Sequence, residues 1–170
     1  FDLLLRQSGL VWLPDTTTLA LESPFDFAKQ GELYIPPLTA SPKQPEAHTE
    51  AVAEWLPKLI AADEAVGTLV LFTSRKQMNE VAMRLPEEYL PLLLIQGEIP
   101  KAALLEKHAK ALAEGRASII FGLDSFAEGL DLPGEACVHV IIVKLPFSMP
   151  DNPIEKTQNR WIEKRGGNPF

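Results

Sequence analysis

The chain has 170 residues, 46% of them hydrophobic and 23% charged, and a formal net charge of −7. That is enough length for one domain with a real core, in a composition ordinary for soluble globular proteins. The acidic balance argues against a free-standing module that holds DNA mainly by charge, while leaving room for a local basic patch or for one lobe of a larger protein.

Phe1 to Gly9 carries Leu3, Leu4 and Leu5, with Gly9 as a helix stop. Val11-Trp12-Leu13 and Thr17 to Leu21 have the composition of short strands, and Glu32 to Ile35 that of a further extended piece. Ser23-Pro24-Phe25-Asp26 is turn chemistry. Four prolines between Pro36 and Pro45 mark an extended linker. The expected division is therefore a leading segment (1–36), a linker (37–45) and a main domain (46–170).

Glu46 to Ala62 reads as a helix, with Val52, Leu56, Leu59 and Ile60 on a helical period and Pro57 kinking it. Thr68 to Phe72 is an apolar run of strand length. Ser74-Arg-Lys-Gln77 then fits a capping box, with Ser74 capping and Gln77 reaching back. The helix that follows should bury Met78, Val81, Ala82 and Leu85. Leu92 to Ile95 is a second strand, ending at Gln96-Gly97. Pro100 to Glu114 is a helix with Leu104, Leu105, His108 and Leu112 on one face, closed by Gly115. Ser118 to Phe121 is a third strand and Val138 to Val143 a fourth. Asp151 to Arg165 is a polar final helix with Ile154, Trp161 and Ile162 as its apolar contacts. Alternating strands and helices, with strands that are solid apolar runs, predict an α/β fold around a parallel sheet buried on both faces.

The one cysteine, Cys137, permits no internal disulfide, points to a reducing compartment, and by itself holds neither a zinc ion nor an iron–sulfur cluster. No apolar run reaches ~18 residues, so no membrane span is expected. The beginning at Phe1-Asp2-Leu3 and the end at Asn168-Pro169-Phe170 suggest a fragment of a longer protein.

A phosphate-cradling Gly-x-x-x-x-Gly-Lys-Ser/Thr loop, a Gly-x-Gly-x-x-Gly turn and a Gly-x-Ser-x-Gly nucleophile elbow are all missing from the sequence. His48, His108 and His139 are scattered without metal spacing, and His108 reads as a packed or half-exposed helix residue. What remains is polar loops after strands, the edge at which open parallel sheets bind ligands. Thr73-Ser74-Arg75-Lys76 combines hydroxyls, cations and a helix N-terminus, which suits phosphate contact; the alternative is a plain helix cap. Gln96-Gly97-Glu98 offers an amide to a phosphate or base edge, or is a simple turn. Ser118 to Asp131 is the most informative stretch, because a buried strand breaks into a loop holding Ser125, Glu128, Gly129 and Asp131. Its carboxylates suit a ribose hydroxyl or a metal-bound water. Equally, Ser125-Phe-Ala-Glu128 is a formal capping box and Asp131-Leu-Pro-Gly134 a turn.

Taken together, Leu69-Val-Leu-Phe-Thr-Ser-Arg-Lys-Gln-Met78, Leu94-Ile-Gln-Gly-Glu98, Phe121-Gly-Leu-Asp-Ser-Phe-Ala-Glu-Gly-Leu-Asp-Leu-Pro-Gly134 and Lys144-Leu-Pro-Phe147 resemble the second motor lobe of DinG-type helicases, the XPD-like branch of superfamily two. Ser23-Pro-Phe-Asp-Phe-Ala-Lys-Gln-Gly31 is similar to that family's crossing segment into the lobe. The resemblance covers nearly the whole chain and implies a RecA-like parallel sheet. It also implies that residues 1–36 are the end of the first lobe and the crossing segment.

By similarity, Thr73, Ser74 and Arg75 would touch the backbone of a single strand, and Gln96 and Gly97 would line the same track. Ser125 would lie on the nucleic-acid side, while Glu128, Gly129 and Asp131 would face the nucleotide cleft. The family implies ATP and Mg between two lobes, and a 4Fe-4S cluster in the first. It implies single-stranded or forked DNA and RNA–DNA hybrids as partners, 5′ to 3′ movement, a role in DNA repair, and a cytoplasmic, nucleoid-associated location. The P-loop and cluster cysteines are absent from this sequence, and the arginine motif that follows in the family would begin beyond Phe170, so the segment alone is expected to be inactive. The competing expectations are a non-catalytic α/β protein-interaction module and a small-molecule transferase using the sheet edge.

Overall fold

A computed structural model describes residues 2–60, 64–146 and 153–168. Ala61 and Ala62 of the expected first long helix, Phe147 of the Lys-Leu-Pro-Phe motif and Asp151 of the expected last helix lie outside the described residues. Contacts divide the chain into two units, Phe1–Pro36 and Pro37–Phe170.

The first unit holds helix α1 (Asp2–Gln7), a 3-10 turn (Leu10–Trp12) and the short helix α2 (Phe27–Gln30). Gly9, at φ 76°, breaks the chain out of α1 as expected. The three expected strand pieces are not strands. Val11 and Trp12 belong to the 3-10 turn, and Thr17 to Leu21 and Glu32 to Ile35 carry no ladder. A strand needs a partner for its backbone N–H and C=O groups, and no segment of this unit supplies one among the described residues. None of residues 4–36 is buried.

The second unit opens with α3 (Pro45–Leu59), started by Pro45 at its first position. Four strands follow: β1 (Gly67–Leu71), β2 (Leu93–Ile95), β3 (Ser118–Gly122) and β4 (His139–Ile142). All pair in parallel, in the order β2-β3-β1-β4. Helix α4 (Arg75–Arg84) joins β1 to a 3-10 segment (Glu87–Leu92) that the sequence did not announce, and α5 (Lys101–Ala113) joins β2 to β3. A short helix α6 (Asp124–Ala127) and a 3-10 turn (Gly134–Ala136) lie on the crossover from β3 to β4. Helix α7 (Pro153–Glu163) comes last.

The two faces of the sheet are covered by different helices. Val70 of β1 and Phe72 just past its end, with Ile119 and Phe121 of β3, meet Val52 and Leu56 of α3 and Met78, Val81 and Ala82 of α4. Leu69 and Ile120 point the other way, onto Leu104 of α5 and Phe126 of α6. This is the period-two alternation of a strand, hidden in sequence because both faces are apolar. Met78, Val81, Phe121 and Ile120 are wholly buried, and each contributes about 1.5–3 kcal/mol through burial. Strand β4 departs from expectation. Val140 and Ile142 are exposed while His139 and Ile141 are half-buried, so this edge strand is covered on one face only among the described residues.

Candidate functional site

Parallel pairing brings the carboxyl ends of β1, β2 and β3 to one edge, since Leu71 stands beside Gly122 and Ile95 beside Phe121. The ladder continues past the strands: Phe72 N–H donates to Gly122 C=O (2.8 Å) and Gln96 N–H to Phe121 C=O (2.9 Å). The three loops leaving this edge carry most of the candidate residues.

After β1, Thr73 and Ser74 are exposed, and Ser74 sits at the N-cap of α4 in extended conformation. Its Oγ accepts from the N–H of Gln77 at 3.4 Å. The capping box is only half formed. Gln77 does not reach back; its Nε2 donates to Nδ1 of His48 (2.9 Å) and to Oγ1 of Thr49 (3.2 Å) on α3. His48 and Thr49 are buried polar groups, and an available amide satisfies both where an exposed backbone N–H can turn to water. Burial chiefly, and then the charge of Lys144, holds the His48 imidazole below its ordinary pKa.

Arg75 opens α4 and donates from Nη1 to the carbonyl of Gln96 at 3.1 Å. Gly97 follows at φ 101°, a conformation that L side chains avoid, and a Cβ there would lie 2.6 Å from the same Arg75 nitrogen. The side chain of Gln96 closes the group. Its Oε1 accepts from Leu123 N–H at 2.6 Å and its Nε2 donates to Ser125 Oγ at 2.7 Å. Arg75, Gln96, Gly97 and Ser125 thus form one connected polar cluster at the sheet edge. A groove of about 670 Å³ opens beside it between α4 and β2, with Arg75, Gln96, Gly97 and Glu98 at its polar end.

Ser125 lies inside α6 and its hydroxyl is engaged by Gln96, so it caps nothing. The N-cap position is Leu123, without a side-chain cap, and Glu128 leaves the helix extended (φ −132°, ψ 151°). The second formal capping box is therefore not made. Beyond it Gly129 turns at φ 70°, and the chain crosses back over the sheet. Leu130 and Leu132 tuck against the core cluster of Leu104, Ile120 and Phe126. Glu128, Gly129 and Asp131 stay exposed. Two carboxylates are thus held outward by apolar neighbours held inward. No hydrogen bond joins them to the Arg75–Gln96–Ser125 cluster among the described residues.

Sequence reasoning gave three further groups no functional role. Lys101, at the start of α5, reaches Gly129 C=O at 3.5 Å and stands 5.3 Å over the Phe126 ring. His108 is buried, with Nε2 2.8 Å from Ala136 C=O and Nδ1 2.8 Å from Ser118 Oγ. The third is the His48–Thr49–Gln77 group. Only the helical spacing of His108 with Leu104, Leu105 and Leu112 hinted at its burial. No group of three or more His, Cys, Asp or Glu is placed to hold a metal among the described residues, and no described helix is long and apolar enough to cross a membrane. Cys137 is half-buried, and burial raises its thiol pKa. A lone thiol does not fit a 4Fe-4S cluster.

The fold and this edge define an α/β lobe with a parallel sheet and a polar carboxyl edge, and comparison with known proteins gives the family. The model of the helicase C-terminal domain matches residues 58–170, and the chain belongs to that family. Over its whole length it is 41% identical to the ATP-dependent DNA helicase DinG of Photobacterium profundum. It is 35% identical to the protein of that name from Escherichia coli K12 and 36% to that of Salmonella typhimurium LT2. The resemblance to DinG helicases carried by the motifs is thereby upheld. The chain spans about a quarter of the length of these relatives (25%, 24% and 24%).

Proposed function

We propose that this chain is the second motor-lobe segment of a DinG-type ATP-dependent DNA helicase. Residues 1–36 would close the first lobe and cross over, 37–45 would link, and 46–170 would form the lobe. The observation that carries this reading is the connected cluster of Arg75, Gln96, Gly97 and Ser125 at the carboxyl edge of a parallel sheet, followed at once by the outward carboxylates of Glu128 and Asp131. Such an edge can serve two ligands side by side.

On the strand side, Thr73, Ser74 and the free backbone N–H groups at the start of α4 offer donors to phosphate oxygens, and Arg75 adds a cation held in place by the Gln96 carbonyl. Gln96 and Ser125 fix the lip beside it. Contacts of this kind read backbone rather than base, so the track tolerates any sequence. On the other side, Glu128 and Asp131 would accept hydrogen bonds from a ribose or from water on a Mg ion held with the nucleotide, with Gly129 allowing close approach. The described residues thus fit one wall of an ATP cleft. ATP supplies the driving force when a first lobe with a P-loop closes over it, and a 4Fe-4S cluster would have to lie in that other lobe.

ATP binding closes the lobes and hydrolysis reopens them, and each cycle advances the strand-contacting surfaces along single-stranded or forked DNA. Movement from 5′ to 3′, action on RNA–DNA hybrids, work in DNA repair and a cytoplasmic, nucleoid-associated location are part of this reading, suggested by the motif resemblance alone. The segment alone should hydrolyse no ATP.

The test uses the full-length helicase bearing this segment. Asp131→Ala or Glu128→Ala should abolish most DNA-stimulated ATPase with folding intact. Thr73→Ala or Arg75→Ala should weaken strand binding and leave basal hydrolysis nearly unchanged. Full ATPase in both carboxylate variants would overturn the reading.

A further inference from the structure

The segment that carries Gly129 and Asp131 lacks regular structure from Glu128 to Pro133, so its position depends on what holds its ends. Both ends are held by one helix. At the upstream end Lys101 of α5 donates to Gly129 C=O at 3.5 Å and covers the ring of the buried Phe126. At the downstream end His108 of α5 lies 2.8 Å from Ala136 C=O. Lys101 and His108 are seven residues apart, about 10 Å along a helix. Helix α5 therefore runs beside the crossover as a rail, with Leu104 between the two ties packing against the same cluster as Leu130 and Leu132.

The downstream tie is built with little tolerance. A carbonyl can only accept, so the His108 proton sits on Nε2, and the Ser118 hydroxyl donates to Nδ1. His108 is 1% exposed and Ser118 1%. Gly67, at the start of β1, leaves room for the junction: a Cβ there would collide with the Ala136 carbonyl and lie 2.8 Å from His108 Nε2. Val138 N–H then donates to Gly67 C=O at 3.1 Å, which starts β4. One imidazole thus joins α5, β3 and the return of the acidic crossover. A buried neutral imidazole needs both nitrogens satisfied, and here the two partners lie on two different elements, so losing the ring loosens both at once.

We propose that His108, with Lys101 at the other end, is a positioning residue that holds the Gly129–Asp131 segment in register against the nucleotide. This inference rests on the assignment of that segment to the nucleotide side. It adds that the registration comes from α5, a helix with no residue in the proposed ligand surfaces.

The test has two arms. In the 170-residue chain, Cys137 is the only thiol and directly follows Ala136, so its rate of maleimide labelling reports how firmly the downstream end is tied. His108→Leu should speed labelling about tenfold, following access, and His108→Gln, which can still donate to Ala136, should restore most of the protection. Val81→Ala, in the opposite core cluster, controls for general loosening. In the full-length helicase, His108→Leu should raise the KM for ATP about tenfold, the scale of a small misplacement, with strand affinity unchanged and recovery in His108→Gln. Mere loss of folded protein would lower kcat alone.

Labelling no faster than in Val81→Ala would overturn the tie. Faster labelling with unchanged KM would overturn its role toward the nucleotide. If Asp131→Ala also left the ATPase intact, the fault would lie in the functional assignment and not in the tie. Should His108→Leu fail to fold, Ser118→Ala, which removes only the hydroxyl, is read by the same two assays and judged by the same outcomes.

Discussion

The side-chain amide of Gln96 grips Ser125 across 29 residues of sequence, Nε2 donating to Oγ at 2.7 Å while Oε1 takes the Leu123 N–H at 2.6 Å. One residue after β2 thereby fixes both the start and the interior of α6. Gln96→Leu keeps the size and removes both bonds, leaving the part-buried Leu123 N–H without its acceptor. The expected loss is about 1–3 kcal/mol, the cost of an unsatisfied group, read as a lower urea midpoint of the chain. Ser125→Ala, which removes only the hydroxyl and leaves Leu123 N–H its acceptor, should cost less. Equal losses would show that the Ser125 bond carries the effect alone.

Gly97 combines two demands that no other residue meets. Its φ of 101° is strained for any L side chain, and a Cβ would press on Arg75 Nη1 at 2.6 Å. Gly97→Ala should destabilise the chain by about 1 kcal/mol from backbone alone. It should also swing the arginine off the Gln96 carbonyl. In the full-length helicase, strand affinity measured by fluorescence anisotropy should fall as in Arg75→Ala, and the double variant should be little worse than either single one. Additive losses would separate the glycine from the arginine.

The same pairings explain what the sequence disclosed and what it withheld. The runs Thr68 to Phe72 and Ser118 to Phe121 were legible because doubly buried strands must be apolar throughout. Met78, Val81 and Ala82 were legible because α4 buries one stripe. Local signals failed where a distant partner won. Gln77 satisfies the capping pattern, yet His48 and Thr49, more than two dozen residues upstream, take its amide. Ser125 and Glu128 satisfy it too, yet Gln96 takes the serine. Val11 and Trp12 have strand composition, but their unit supplies no ladder partner among the described residues. In the loops, residue type pointed to Arg75, Gln96 and Ser125 one at a time; the motif resemblance set them along one track, and the sheet order shows the bonds that join them. Nothing in sequence tied His108 to Ala136, because that bond spans a crossover.

Two buried imidazoles give the stability a pH dependence of definite sign. His48 and His108 are both held below the ordinary value of 6.5, by burial first. The Lys144 charge lowers His48 further, and the bond to Ala136 partly opposes the shift at His108. The unfolded chain therefore takes up protons before the folded chain does. The contribution of these groups is complete above the unfolded value and is lost as pH falls through the depressed folded values. Urea midpoints should decline from pH 7 toward about pH 5, the window in which histidine rather than carboxylate titrates. His108→Leu should flatten part of that decline, whatever its effect at neutral pH. A slope unchanged in both His108→Leu and His48→Leu would place the proton uptake elsewhere.

Gly122, the last residue of β3, tests whether the cluster at the sheet edge depends on the seating of α6. It has no left-handed φ, so its requirement is steric: a Cβ would lie 2.7 Å from Cβ and 3.1 Å from Cγ of Phe126. Those are the root of the side chain, which cannot turn away without moving the helix backbone. Phe126 is 3% exposed and packs on Leu104 and Ile120, so the strain cannot relax outward cheaply. Gly122→Ala should cost about 1–3 kcal/mol, the range for overpacking a filled core, and α6 should lift. The lift would pull Ser125 from Gln96, so Gln96→Leu should add much less on the Gly122→Ala background than on the wild type. A double-mutant cycle by urea denaturation measures that coupling. Independent effects would mean that α6 holds Ser125 in place without its contact to the strand.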